Sequence, residues 1–266
     1  MTEPHQFSLE ALLAEDGQCV RAGLPKTPRD QSKMTVEDAK KKLMSLASRE
    51  LATSSARFFK TGPGQYGEGD IFIGVKVPTL RKLAGDFLDL PLKEIEALLQ
   101  SPIHEERLLA LLVLVLVATK ADPTQKKAIF DLYLSNTRFV NNWDLVDSSA
   151  PALVGSYLLD KGRKPLVVLA KSESLWERRI AIVATQHFIR NEEYDDTLKI
   201  GRMLLADKED LIHKATGWML REVGKKHEPT LVDFLEEHGS DMPRTMLRYA
   251  IERFSPEKRQ YFLKNT

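Results

Sequence analysis

Cysteine is almost missing from this chain. One residue, Cys19, occurs among 266, which excludes a disulfide framework and a thiolate metal cluster and fits a reducing compartment. Long apolar runs are scarce too. The longest, from Leu108 to Ala118, covers eleven residues, well short of the ~20 a membrane-spanning helix needs, so it predicts a buried central helix. Neither sign of charge prevails: 39 Lys plus Arg face 38 Asp plus Glu, a formal +1. Net charge therefore argues neither for nor against a nucleic-acid partner, and the distribution of charge has to decide. The first residues, MTEPHQFSLE, carry no apolar stretch of signal-peptide type. A cytoplasmic protein is the expectation.

Several kinds of site are missing as well. The six histidines (His5, His104, His187, His213, His227 and His238) form no HxxxH or HExxH pair, and no acidic cluster has calcium-loop spacing. No metal is expected. No GxSxG elbow or Cys/His pair suggests acyl transfer. Gly62, Gly64 and Gly67 in TGPGQYGEGD match GxGxxG literally. A dinucleotide site would need a strand before them and a helix after, whereas ARFFK precedes and IFIGV follows. Glu68 and Asp70 would also repel a phosphate. The segment is expected to be a structured loop or short hairpin, and neither a metal nor a nucleotide cofactor is foreseen.

What the chain does have is helical periodicity. Residues 1–33, punctuated by Gly17, Gly23, Pro25 and Pro28, read as a partly ordered arm; residues 34–266 form the main domain. Thr35 with Asp38 three residues on is a capping-box arrangement. Apolar spacing then predicts helices over 35–60, 78–88, 91–100, 104–119, 123–134, 142–160, 163–171, 174–190, 193–206, 209–225, 229–238, 243–254 and 256–264. Pro78, Pro91, Pro123, Pro229 and Pro256 stand near first turns, where a missing N–H is harmless. Only DIFIGVKV (70–77) looks like a strand. Pro151 leaves two readings open: a bend in 142–160 at Asp147, whose carbonyl lies four residues back, or the start of a new helix.

A repeat runs through these helices. Arg107, Trp143, Arg179, Lys214 and Arg248 follow one another at steps of 36, 36, 35 and 34 residues, each beside an apolar helical stretch such as NWDLVDSSA or HKATGWMLR. A fixed period near 35 predicts helical hairpins stacked in a solenoid. One turn further along the same face stand Asp147, Val183 and Trp218. A face with cations, two indoles and a solitary carboxylate suits an anionic polymer. Taken singly, each has a plainer reading. A lone tryptophan in a helical protein is a core residue, Asp147 could cap a helix starting at Pro151, and Arg178 could sit on a solvated helix face.

Four separated stretches, RFFKTGPGQYGEGDIFIGVKVPTLRKLA (57–84), NNWDLVDSSAP (141–151), LWERRIAIV (175–183) and KATGWMLREVGKK (214–226), resemble the AlkD-like family of DNA alkylation repair glycosylases over roughly residues 35–255. The resemblance implies an all-α solenoid of antiparallel HEAT-like repeats with a concave DNA-binding face. It implies hydrolysis of the N-glycosidic bond of N3- and N7-alkylated purines in duplex DNA, without a cofactor. A monomer is the expectation, since nothing in the sequence requires more, and so is a nucleoid-associated place in the cytoplasm. Asp147 would be the catalytic carboxylate, Trp143 and Trp218 would line the lesion cleft, and Arg179 would hold the DNA backbone near the lesion. Lys214, Arg248, Arg178 and Arg107 are the accompanying DNA-contact candidates. Two departures stand out. The GPGQYGEGD loop is longer than in well-understood members, and Ser55 falls near the tyrosine that completes the cleft in some of them. Some relatives keep the scaffold and bind branched or distorted DNA without excising a base, and this is the alternative function.

Overall fold

The computed structural model describes residues 34–265, and the expected arm at 1–33 lies outside them. The chain divides into two compact units at Lys120–Ala121.

In the first unit, α1 (Val36–Ser45), α2 (Arg49–Phe58), α3 (Val77–Ala84) and α4 (Leu92–Leu99) precede the long α5 (His104–Lys120). α1 starts at the anticipated capping box: the Thr35 side chain accepts from the Asp38 amide while the Asp38 carboxylate takes the Thr35 amide at 3.0 Å. The helix expected over 35–60 is two helices. Ser48 interrupts it, because its amide donates to Ile73 O at 2.9 Å and its hydroxyl caps α2 at Leu51. α3 and α4 pack on α5, which is buried from His104 to Val115. The apolar run of the sequence is thus a core helix.

The strand-like segment at 70–77 forms no strand. Among the described residues the only β pairing is a single bridge between Ile71 and Ile103. Its amides go to a side chain instead: the Glu105 carboxylate accepts from Ile73 (3.0 Å), Gly74 (2.7 Å) and Val75 (3.3 Å). Buried amides must find acceptors, and one carboxylate here serves three. Gly74 has φ +81°, and a Cβ there would meet Ser48 O at 2.1 Å; only glycine fits. The preceding Gly-rich segment closes by turns, with the Gly64 amide donating to Glu68 at 2.8 Å and the Gly67 amide to Lys60 O at 3.1 Å. It is the structured loop of the two expected forms.

The second unit contains α6 (Pro123–Ser135), α7 (Trp143–Ala150), α8 (Ser156–Leu158), α9 (Lys164–Ala170), α10 (Leu175–Ala184), α11 (Gln186–Arg190), α12 (Asp195–Met203), α13 (Asp210–Lys226), α14 (Glu228–His238), α15 (Arg244–Ala250) and α16 (Pro256–Asn265). Here the hairpin period is visible. α9 packs on α10, while α12 and α14 pack on α13; α7 packs on α10, α10 on α13, and α13 on α15. Trp143, Arg179, Lys214 and Arg248 each ride on one of these four successive helices. The all-α repeat architecture is therefore as expected. Leu220, Leu231, Phe234, Leu235, Met246, Leu247 and Phe262 close the C-terminal core.

Close approach between successive helices depends on two glycines. A Cβ at Gly217 would meet Met246 O at 2.4 Å, and one at Gly155 would meet Ala184 O at 2.2 Å. The helix expected over 174–190 is divided at Thr185, whose hydroxyl donates to Ile182 O at 2.6 Å.

Candidate functional site

Asp147 and Arg179 are the residues this structure brings together. Arg179 Nε donates to Asp147 Oδ1 at 2.9 Å and Nη2 to Oδ2 at 2.8 Å. This parallel two-bond geometry is the strongest form of a carboxylate–guanidinium pair. Only 10% of the Asp147 side chain and 6% of the Arg179 side chain remain exposed. The third contact of the guanidinium is Nη1 to Leu211 O at 2.5 Å, so Arg179 on α10 links α7 to the first turn of α13.

Local sequence sets Asp147 in place. Asn142, fully buried, opens α7, and its side chain accepts the Trp143 amide at 2.8 Å. Trp143 and Asp147 then lie four residues apart on one face, and Trp143 keeps partial exposure. Beyond Ala150 the chain neither breaks nor starts a capped helix. It passes through Pro151–Gly155 as a π segment, with helical dihedrals at Ala150 (φ −56°, ψ −42°) and Pro151 (φ −61°, ψ −40°). A proline cannot donate back to the Asp147 carbonyl, and the wider turn absorbs that lost bond. Asp147 therefore does not cap a new helix; its carboxylate is taken by Arg179.

Burial pushes the Asp147 carboxyl above the ordinary aspartate value, the Arg179 guanidinium and its hydrogen bonds oppose that, and the nearby Asp144 adds to the rise. Beneath α7, the buried Tyr133 hydroxyl lies 3.1 Å from Ser149 Oγ. Burial, with the Asp147 charge nearby, moves the Tyr133 phenol upward.

The remaining candidates divide. Trp218, on α13, is 9% exposed, and Lys214 one turn before it is partly exposed and paired with Asp210 at 2.8 Å. Arg248 on α15 is exposed. Two expected DNA contacts are differently employed. Arg107 is 3% exposed, with Nη2 on Asp70 at 2.5 Å and Nη1 on Ser101 O at 3.1 Å; it serves the interior of the first unit. Arg178 gives Nε to Asp207 at 2.6 Å and Nη1 to the carbonyls of Ser172 and Glu173. Its donors are already committed to the protein. Asp144, beside Trp143, is 3% exposed and accepts the Leu145 amide at 2.9 Å. Phe58, at the end of α2, is 52% exposed, edge-on to Phe59. Sequence reasoning did not single out Asp207 or the Leu211 carbonyl, and no local pattern marks either.

Among the described residues no group of three His, Cys, Asp or Glu is placed to hold a metal ion, and no helix is long and apolar enough to cross a membrane.

Stacked helical hairpins, with a carboxylate–guanidinium pair between two of their successive helices, define an all-α repeat protein. The chain matches the family model of the DNA alkylation repair enzymes over residues 39–254, and it belongs to that family. Its fold is similar to that of a solved structure described as a predicted DNA alkylation repair enzyme from Enterococcus faecalis. The two agree with a TM-score of 0.63 at 19% identity, over 79% of this chain and 97% of that one. No curated protein matches the chain.

Proposed function

We propose that the region from residue 34 onward is a DNA glycosylase that removes N3- and N7-alkylated purines from duplex DNA by hydrolysis, acting as a monomer. The observation that carries this reading is the incompletely buried Asp147, fixed by two bonds to Arg179 one helical turn from Trp143.

The chemistry suits such a group. A purine alkylated at N3 or N7 is already cationic. When the bond from C1′ to N9 breaks, the electron pair stays on the base, which leaves neutral. No general acid is needed. Positive charge develops on the sugar as an oxocarbenium ion, and a preorganised carboxylate stabilises it and orients the attacking water, whose proton passes to Asp147 or solvent. Arg179 uses one lone pair on each oxygen of Asp147, leaving further acceptor capacity for the sugar or the water. Indole faces present negative quadrupole to the same cation, the role proposed for Trp143 and Trp218. Lys214 and Arg248 would neutralise phosphates.

Release of 7-methylguanine and 3-methyladenine from methylated duplex tests the reading. Asp147→Asn should abolish most release. That variant also leaves Arg179 buried without its counter-ion, a loss that costs about 3–5 kcal/mol in such pairs. The double variant Asp147→Asn/Arg179→Gln removes both charges and should fold yet remain inactive. Release at the wild-type rate by either would overturn the assignment. DNA binding by the wild-type protein with no release from any alkylated substrate would make it a binder of distorted DNA.

A further inference from the structure

Arg178 and Arg179 are neighbours on α10 with different employment. Arg179 reaches Asp147 and the Leu211 carbonyl. Arg178 grips the turn that leads into the same helix, α13: Nε and Nη2 meet the two oxygens of Asp207 at 2.6 and 3.3 Å. Its Nη1 holds the carbonyls of Ser172 and Glu173, at 3.0 and 2.9 Å, just before α10. Asp207 is a hub in its own right. It is 5% exposed at the side chain, its Oδ1 also accepts the Glu209 amide at 2.9 Å, and its carbonyl lies 2.6 Å from His213 Nε2. Four residues after Asp207 comes Leu211, whose carbonyl Arg179 uses.

We infer that Arg178 and Asp207 are a positioning pair for the Asp147–Arg179 site: by fixing the 207–209 turn they set where the Leu211 carbonyl stands, and hence how Arg179 presents itself to Asp147. The physical reason is economy of freedom. An arginine side chain carries about 2 kcal/mol of rotamer entropy, and Arg179 has its two anchors on α7 and α13. The first turn of α13 has no side-chain cap at Glu209, and the turn leading into it is braced by the Arg178–Asp207 fork, the Glu209 amide bond to Asp207 and the His213 contact with the Asp207 carbonyl. A displacement of about 1 Å at a reacting group can lower a rate by roughly 100-fold. This inference rests on the proposed excision chemistry for its kinetic consequence but not for its geometric one.

The test compares Asp207→Asn, Arg178→Ala and Arg178→Lys with the full-length wild type. A lysine keeps the cation and loses the fork, so it would still serve a phosphate but not Asp207. Three quantities are measured: single-turnover release of 7-methylguanine at saturating protein, affinity for undamaged duplex, and the titration of the Asp147 carboxyl by 13C NMR. The groups facing that carboxyl are Arg179, Asp144 and Tyr133. The expected result is release slowed roughly 10-fold or more in all three variants, duplex affinity within about 2-fold, and an Asp147 midpoint moved upward as Arg179 loosens. If Asp207→Asn fails to fold, Arg178→Lys carries the comparison. An unchanged Asp147 midpoint in the folded variants, or weakened affinity in Arg178→Ala restored by Arg178→Lys, would overturn the inference and make Arg178 a phosphate contact. If the wild type releases no base, the excision reading fails alone, and the titration still decides the positioning pair.

Discussion

At the scale of the residue, Asp147 carries opposing influences. Burial and Asp144 raise its proton affinity, while Arg179 lowers it, and the balance lies above the ordinary aspartate value. The proposed reaction requires the carboxylate, so on that reading the active form is lost as pH falls, and it is lost at a higher pH than the ~3.9 of a free aspartate. The acid limb of the single-turnover rate, corrected for spontaneous depurination, should show that displacement. In Arg179→Ala both lowering influences disappear, and the limb should move to still higher pH. A limb that stays put, or moves down, would mean that Arg179 does not govern the protonation of Asp147.

At the scale of the element, α13 carries Lys214, Gly217 and Trp218 and packs against both α10 and α15. Gly217→Ala would drive a Cβ to within 2.4 Å of Met246 O and 2.6 Å of Tyr249 Cβ. Neither is the far end of a flexible chain, so α15 has to shift. Overpacking of this kind typically costs about 1–3 kcal/mol, and Gly217→Ala should lower the melting temperature by roughly 2–10 °C, read by circular dichroism. The same change at Gly85, which has open space around it, should leave it nearly unaltered. Legibility differs from element to element. The α1 capping box and the repeat of apolar helices could be read from local spacing. The division of 35–60 at Ser48 could not, because the cause is Ile73, distant in the chain. The fate of 70–77 was equally hidden: its amides are satisfied by Glu105 about 30 residues on, and alternation alone cannot distinguish that arrangement from a strand.

At the scale of the whole molecule, a formal charge of +1 means that any duplex binding must come from locally arranged cations. Affinity for duplex should fall steeply with salt, with a slope set by the number of phosphates neutralised. Lys214→Ala and Arg248→Ala should each weaken binding across sequences and reduce that slope by about one. Arg107→Ala should leave the slope unchanged, since Arg107 is enclosed against Asp70. Salt titrations of fluorescence anisotropy separate these outcomes, and an unchanged slope in Lys214→Ala and Arg248→Ala would remove them from the interface.

The sequence by itself determined the all-helical repeat, because a period near 35 and apolar spacing within each helix are local properties that leave few other ways to bury the core. It also marked Trp143, Arg179, Lys214 and Arg248, which recur at that period and stand on successive packed helices. Only the tertiary structure decided what those residues do with their charges. Asp147 holds Arg179 rather than a helix terminus, Arg178 holds Asp207 rather than solvent, and Arg107 holds Asp70 inside the first unit. Each pairing joins side chains 29 to 37 residues apart, and the energy of a buried charge depends on the partner that folding brings to it, which no local pattern encodes.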